Sequence, residues 1–158
     1  MDTAQLYSYF SQCTSVATDT RKIEPDTLFI ALKGDNFNAN TFAEEALAKG
    51  AKYAVVDEPE YKTDERILLV DNSLTALQQL ANYHRKTLGL PVIALTGSNG
   101  KTTTKELINA VLSAKYNTTA TVGNLNNHIG VPLTLLSFTK ETEIGIVEMG
   151  ANHQKEIE

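Results

Sequence analysis

The sequence predicts an α/β protein of two successive units: a small mixed unit over residues 1–85 and, over 86–158, the start of a phosphate-loop, doubly wound unit. Two observations carry this. Short apolar strands alternate with segments of helical period along the chain, the pattern of parallel sheets covered by helices. After Pro91 an apolar strand, a glycine loop and an amphipathic helix follow one another directly, the order in which an open α/β sheet builds a phosphate site.

Taken in order, Asp2 followed by Gln5 reads as a capping box for a helix whose Leu6, Tyr9 and Phe10 recur at helical spacing to about residue 12. Tyr7, Tyr9 and Phe10 suit a core or an interface better than a stacking platform. Strands at 16–19 and 28–32 flank the turn-prone Glu24-Pro25-Asp26. An alanine-rich helix from Thr41, with Phe42, Ala46 and Leu47, ends at Gly50, and strand 53–56 follows at once. The apolar run 67–70 precedes Asp71-Asn72-Ser73, a cap for a helix that groups Leu74, Leu77, Leu80, Ala81 and His84 and stops near Gly89 and Pro91. The unit boundary is expected between Tyr83 and Pro91. Beyond it come strands 92–95, 118–122 and 144–149, a helix over 101–114, and the first turn of a further helix after Ala151. Three strands make a thin sheet, so the second unit is expected to be truncated in this chain.

Composition excludes several classes. No apolar run approaches the ~20 residues of a membrane span, and the N-terminus lacks the basic start and apolar core of a signal peptide, so a cytoplasmic setting without a membrane span is expected. A net charge of −5 with no basic concentration argues against a nucleic-acid surface, and any phosphate should be met locally by a loop. Cys13 is the single cysteine, which rules out an internal disulfide and a cysteine-cluster metal site; it is read as inert. His84, His128 and His153 lack metal-ligand spacing, and His84 reads as a helix-face residue.

The segment Thr96-Gly97-Ser98-Asn99-Gly100-Lys101-Thr102-Thr103-Thr104 carries the chemistry. Glycines let backbone N–H groups approach phosphate oxygens, and a helix N-terminus turns its partial positive charge toward the anion. Gly97 and Gly100 meet the first need and the helix from Lys101 the second, with Ser98 and Asn99 completing the loop. In such loops the lysine, here Lys101, reaches the β- and γ-phosphates of ATP, the Thr102 hydroxyl ligates Mg²⁺, and Thr103 adds a donor. Only two residues separate the glycines, where the common pattern has four.

That shortened form, TGSNGKTTTKE, resembles the ATP loop of the Mur ligases and their folylpolyglutamate synthetase relatives. Gly123-Asn124-Leu125-Asn126-Asn127-His128-Ile129-Gly130-Val131-Pro132-Leu133-Thr134-Leu135-Leu136 looks like the substrate-side segment of the branch that joins D-alanyl-D-alanine to UDP-N-acetylmuramoyl-tripeptide. Glu148-Met149-Gly150-Ala151-Asn152-His153 is similar to the family's metal-binding strand end, and Asp19-Thr20-Arg21-Lys22 with the following stretch 28–34 to the small domain that holds the UDP end. The resemblance covers about residues 16–157. It implies ATP and Mg²⁺ as cofactors, Lys101 and Glu148 as catalytic residues, and metal ligands at Thr102 and Glu148. It further implies substrate contacts from Thr20, Arg21, Asn124, Asn126 and Asn127. The expectation is a monomer acting in peptidoglycan precursor synthesis. The family's modified lysine, a later metal ligand and its C-terminal domain would fall beyond Glu158, so the chain alone is expected to lack ligase turnover. Two departures stand out. Phe37-Asn38-Ala39-Asn40-Thr41-Phe42 replaces the Phe-Asp-Gly-His-Asp-Phe of many relatives, and His128 occupies an often acidic position.

For several residues a plainer reading stands beside the functional one. Glu148 closes a parallel strand, where a carboxylate either holds Mg²⁺ or caps a helix. Asn124, Asn126 and Asn127 are either a binding loop or turn formers, and Arg21 either a phosphate partner or half of a surface ion pair. Two rival functions remain: a Mur ligase adding a different amino acid, and a non-catalytic nucleotide- or UDP-ligand-binding module.

Overall fold

A capping box starts the chain. Asp2 Oδ1 accepts from the Gln5 N–H at 2.8 Å while Gln5 Oε1 accepts from the Asp2 N–H at 3.3 Å, satisfying donors that open helix α1 (Thr3–Phe10) would otherwise leave bare. The computed structural model describes residues 1–151, and the chain divides into two units, Met1–Tyr83 and His84–Glu158. The helical turn expected after Ala151, and His153 within it, lie outside the described residues.

In the first unit strand β1 (Ser15–Ala17) pairs in parallel with β2 (Thr27–Ile30). The expected strand to residue 19 stops early for a local reason. Asp19 Oδ1 accepts from the Arg21 N–H at 2.9 Å and caps a 3-10 turn at Thr20–Lys22. A short antiparallel hairpin that the sequence pattern does not reveal, β3 (Lys33–Gly34) with β4 (Phe37–Asn38), comes next. The following helix also starts later than expected, because Asn38 Oδ1 accepts from Asn40 N–H at 3.0 Å and tightens residues Ala39–Phe42 into a 3-10 turn before α2 (Ala43–Ala48). Strands β5 (Tyr53–Val56) and β6 (Ile67–Leu69) complete the sheet, and helix α3 (Ser73–Leu88) follows, its residues from His84 onward counted in the second unit. Asn72 Oδ1 caps α3 by accepting from Thr75 N–H at 2.8 Å.

The sheet runs β1-β2-β5-β6, all parallel. All four residues of β2 are buried, as expected of an inner parallel strand with both faces covered. On α2, Ala43, Ala46 and Leu47 fall at i, i+3 and i+4 and pack with Phe29, Ala31, Ala54 and Val56. Leu77, Leu80 and Ala81 repeat that spacing on α3 and are fully buried.

Past the carboxyl end of β5 the polar groups close into a network around Asp57. Its Oδ1 accepts from Asn40 Nδ2 at 2.9 Å and Lys33 Nζ at 3.1 Å, its Oδ2 from the Ser73 N–H at 3.1 Å. Its own N–H donates to Asn40 Oδ1 at 3.0 Å. The two asparagines that depart from the relatives' pattern are therefore structural members here. Burial pushes the Asp57 carboxyl up, but the bonds from Asn40, Ser73 and Lys33 outweigh it and hold the group below its ordinary value. The folded state thus binds fewer protons than the unfolded chain, so this stabilisation is present above the unfolded value near 3.8 and is lost as pH falls through the lower folded value.

In the second unit β7 (Val92–Leu95), α4 (Lys101–Leu112), β8 (Thr118–Ala120), α5 (Gly130–Leu136) and β9 (Ile144–Glu148) form a parallel sheet of order β7-β9-β8. Helix α4 packs on β8 and β9, and α5 on β9. The sequence pattern does not reveal α5. At its start Gly130 is required by close approach, since a Cβ there would lie 2.4 Å from the Leu125 carbonyl carbon. His84 Nε2 lies 2.9 Å from the Phe138 carbonyl oxygen, buried, in keeping with a helix-face role. Among the described residues no helix is long and apolar enough to cross a membrane.

Asp57→Asn should cost about 1–3 kcal/mol at pH 7, since it weakens the charge-assisted hydrogen bonds on a carboxylate whose side chain is 3% exposed. Denaturant unfolding should show the difference from wild type shrinking as pH drops from 5 toward 2. A loss of equal size at both ends of that range would contradict the assignment.

Candidate functional site

The carboxyl ends of three parallel strands supply one cleft. β7 leads into the glycine loop, β9 ends at Glu148, and the chain leaving β8 runs to Asn126. The cleft, about 340 Å³, is lined by Ser98, Asn99, Gly100, Lys101, Thr102, Thr103, Asn126 and Glu148. This is the edge at which open α/β sheets collect ligands.

The loop leaves the helix start open. Gly100 is the N-cap of α4 in the left-handed conformation (φ 75°, ψ 3°), which a side chain would strain, and it contributes no side-chain cap. The helical ladder begins with Thr104 N–H to Gly100 O at 2.9 Å. The N–H groups of residues 101–103 therefore have no acceptor inside the helix, and the positive end of α4 is available to an anion. Lys101 Nζ folds back and donates to Gly97 O at 2.7 Å.

Glu148 is the buried centre of the cleft wall, only 1% exposed. Its Oε1 accepts from Asn126 Nδ2 at 2.9 Å and from Thr102 Oγ1 at 3.3 Å. Among the described residues its Oε2 is buried without a hydrogen-bond partner. Its backbone is pinned on both sides: the Glu148 N–H donates to Thr121 Oγ1 at 2.9 Å, and the next amide, Met149 N–H, to Leu95 O at 2.8 Å. Asn126 grips the strand end twice, because its backbone oxygen also accepts from Gly150 N–H at 2.7 Å. Leaving a buried acceptor bare costs about 1–3 kcal/mol, more when it is charged, so Oε2 calls for a ligand. The residues fit Mg²⁺, a hard cation bound through one or two carboxylates together with phosphate oxygens and waters; Glu148 Oε2 and Thr102 Oγ1 are the oxygens that would hold it.

The other sequence-read residues scatter more widely. Asn124 does not line this cleft. Asn127 turns to the backbone, its Oδ1 accepting from the N–H groups of Ile129 at 3.1 Å and Gly130 at 2.8 Å as α5 begins. Thr20 and Arg21 lie in the first unit, in a separate cleft of about 360 Å³ with Asp19, Phe29, Phe37 and Phe42 among its walls. Arg21 forks onto Asp19, Nε to Oδ1 at 2.9 Å and Nη2 to Oδ2 at 2.6 Å, which holds the Asp19 carboxyl well below the usual range. Burial pushes the Cys13 thiol up to about 11, in keeping with an inert role. Thr121, which fixes the Glu148 backbone, carries no sequence signal; a threonine after a strand reads as ordinary β composition.

Fold and cleft together define the class of phosphate-loop α/β proteins. Residues 12–85 match the family described as Mur ligase family, catalytic domain, and residues 95–158 the Mur ligase middle domain. The chain belongs to the Mur ligase family. It is 49% identical over 145 residues to the UDP-N-acetylmuramoyl-tripeptide--D-alanyl-D-alanine ligase of Bacillus subtilis, covering 90% of this chain and 32% of that protein. A crystal structure of MurF from Acinetobacter baumannii matches with a TM-score of 0.84 at 40% identity, over 98% of this chain and 37% of that one. The MurF ligase of Thermotoga maritima, solved in complex with ADP, matches with a TM-score of 0.81 at 32% identity, over 94% and 34%. The chain thus spans about a third of the length of the relatives it matches.

Glu148→Gln removes a charge but little volume, and it relieves the fold of a half-satisfied buried carboxylate. Stability without ligand should therefore be unchanged or slightly raised, while the Mg²⁺ affinity of the nucleotide complex falls at least about tenfold. Thermal unfolding and nucleotide titration across a Mg²⁺ series check this; a wild-type Mg²⁺ dependence would remove the metal assignment.

Proposed function

We propose that the protein is an ATP-dependent ligase of peptidoglycan precursor synthesis that adds D-alanyl-D-alanine to UDP-N-acetylmuramoyl-tripeptide, working as a cytoplasmic monomer. The observation that carries this is the meeting of an uncapped helix start, Lys101, Thr102 and a buried carboxylate oxygen without a partner in one cleft. The names of the relatives supply the substrate class.

A carboxylate is a poor electrophile, and its approach to the γ-phosphate brings two anions together. The residues here answer that difficulty by neutralising and aligning charge. Lys101 and the N–H groups of residues 101–103 take the phosphates, with Ser98, Asn99 and Thr103 around them. Mg²⁺ on Thr102 and Glu148 supplies further neutralisation when bound. A terminal carboxylate oxygen of the tripeptide attacks the γ-phosphorus and ADP leaves. The amine of D-alanyl-D-alanine then attacks the acyl carbon, phosphate departs and the amine's proton is released. No side-chain nucleophile is needed.

The two units divide the substrates. The second takes ATP, and the first takes the UDP end of the precursor in the cleft of Thr20 and Arg21, where the guanidinium would exchange Asp19 for phosphate. Asn126 serves the metal corner, and Asn124 and Asn127 belong to the segment facing the peptide.

The Lys101 side chain should meet only nucleotide phosphate. In the complete protein Lys101→Ala should weaken Mg-ATP binding at least about tenfold and leave UDP-precursor binding within about twofold. Titration calorimetry on both ligands reads the difference. Equal losses with an unchanged circular dichroism spectrum would make Lys101 a structural residue.

A further inference from the structure

Lysine is almost never fully buried unless paired, yet Lys105 on α4 is 0% exposed. Its Nζ donates to the Thr121 carbonyl oxygen at 2.6 Å and pairs with Glu106 Oε1 at 2.9 Å. Residue 121 lies one position past β8 and is itself buried. Every polar group of Thr121 is engaged. Its N–H donates to Ile146 O at 2.9 Å, its carbonyl accepts from Lys105, and its hydroxyl oxygen accepts from the Glu148 N–H.

A continuous set of bonds therefore runs from α4 through Thr121 to the backbone of Glu148. The same helix carries Thr102, three residues before Lys105, whose hydroxyl meets the Glu148 side chain. Thr102 and Lys105 thus tie one helix to Glu148 by two routes, directly to the carboxylate and indirectly to the backbone. We propose that Lys105 is a positioning residue for the metal corner of the nucleotide site, acting through Thr121 to hold Glu148 in register with Thr102. This rests on the nucleotide reading above and extends it to a residue that touches neither nucleotide nor metal. The physical reason is the strictness of Mg²⁺, which demands near-octahedral geometry and tolerates little drift of its donors. Without the Lys105 bond the carboxyl end of β8 loses its hydrogen bond to α4, keeping only the packing between them and the Thr118 Oγ1 bond to Asn109 Oδ1 at 2.7 Å at the opposite end of the strand, so Glu148 and Thr102 gain freedom to drift apart while the sheet stays intact.

A purely structural lysine would lower stability without changing how the nucleotide depends on metal, and this separates the two roles. In the complete protein, ATP binding is titrated over a Mg²⁺ series and again in EDTA, alongside thermal unfolding. Lys105→Met and Thr121→Val should each raise the half-saturating Mg²⁺ concentration about tenfold, leave ATP affinity in EDTA within about twofold, and show no further rise when combined. Thr121→Ser, which keeps the hydroxyl, should remain at wild type. An unchanged Mg²⁺ dependence in Lys105→Met, whatever its melting temperature, overturns the proposal. If that variant does not fold, Thr121→Val decides alone, and an unchanged Mg²⁺ dependence there overturns it equally. If wild-type protein binds ATP without any Mg²⁺ dependence, the metal reading fails and this inference falls with it; a metal-dependent wild type with unaffected variants removes this inference alone.

Discussion

A carboxylate sealed inside a parallel sheet with one oxygen bare is the constraint around which the second unit is arranged. Stripped of water and partners, such a charge is among the most costly groups a protein can bury. Among the described residues Glu148 finds only part of its compensation, from Asn126 and Thr102 on Oε1, and nothing on Oε2. A divalent cation a few ångströms away would repay burial strongly in a medium of low dielectric, and on the proposed function the uncompensated oxygen would serve as an affinity for metal. The rest follows from holding that oxygen still. β7 and β8 flank β9, Asn126 clamps the strand end, and α4 presents Thr102 from the glycine-loop side.

The first unit shows the opposite use of the same kind of residue. Asp57 sits one residue past a parallel strand with its side chain 3% exposed, and Asn40, Lys33 and the Ser73 amide engage both of its oxygens. A satisfied acid fixes structure, and here it ties the β3–β4 hairpin and the start of α3 to the end of β5. An unsatisfied acid invites a ligand. Both acids stand at the carboxyl ends of parallel strands, Glu148 as the last residue of β9 and Asp57 one residue past β5, and they differ in whether both oxygens find partners among the described residues.

Much of this was legible in the sequence because the signals were local. The 53–56 and 92–95 strands, the asparagine cap before α3 and the glycine loop each depend on a few neighbouring residues, and the expected bounds of both strands coincide with the observed ones. What escaped depended on distant partners or on lengths too short for a period. Two-residue strands such as β3 and β4 carry no alternation. Helix α5 was obscured by the asparagines and glycine before it and by Pro132 in its first turn, a position that helices tolerate. Asn126 and Asn127 are adjacent and chemically identical, yet one meets Glu148 and the other meets backbone, a distinction only the path of the chain decides. Lys105 was hidden most completely, since a lysine four residues after another on a helix reads as a solvated face.

The proposed function requires nucleotide phosphate and metal to meet at Gly100 to Thr103 and Glu148. A crystal structure of the complete protein with a non-hydrolysable ATP analogue and Mn²⁺ tests it most directly, because the anomalous signal of manganese locates the cation independently of the protein. The β- and γ-phosphates should lie against the amides of residues 101–103, with the anomalous peak within bonding distance of Thr102 Oγ1 and Glu148 Oε2. Phosphates bound elsewhere, or a cation that leaves Glu148 Oε2 bare, would contradict it.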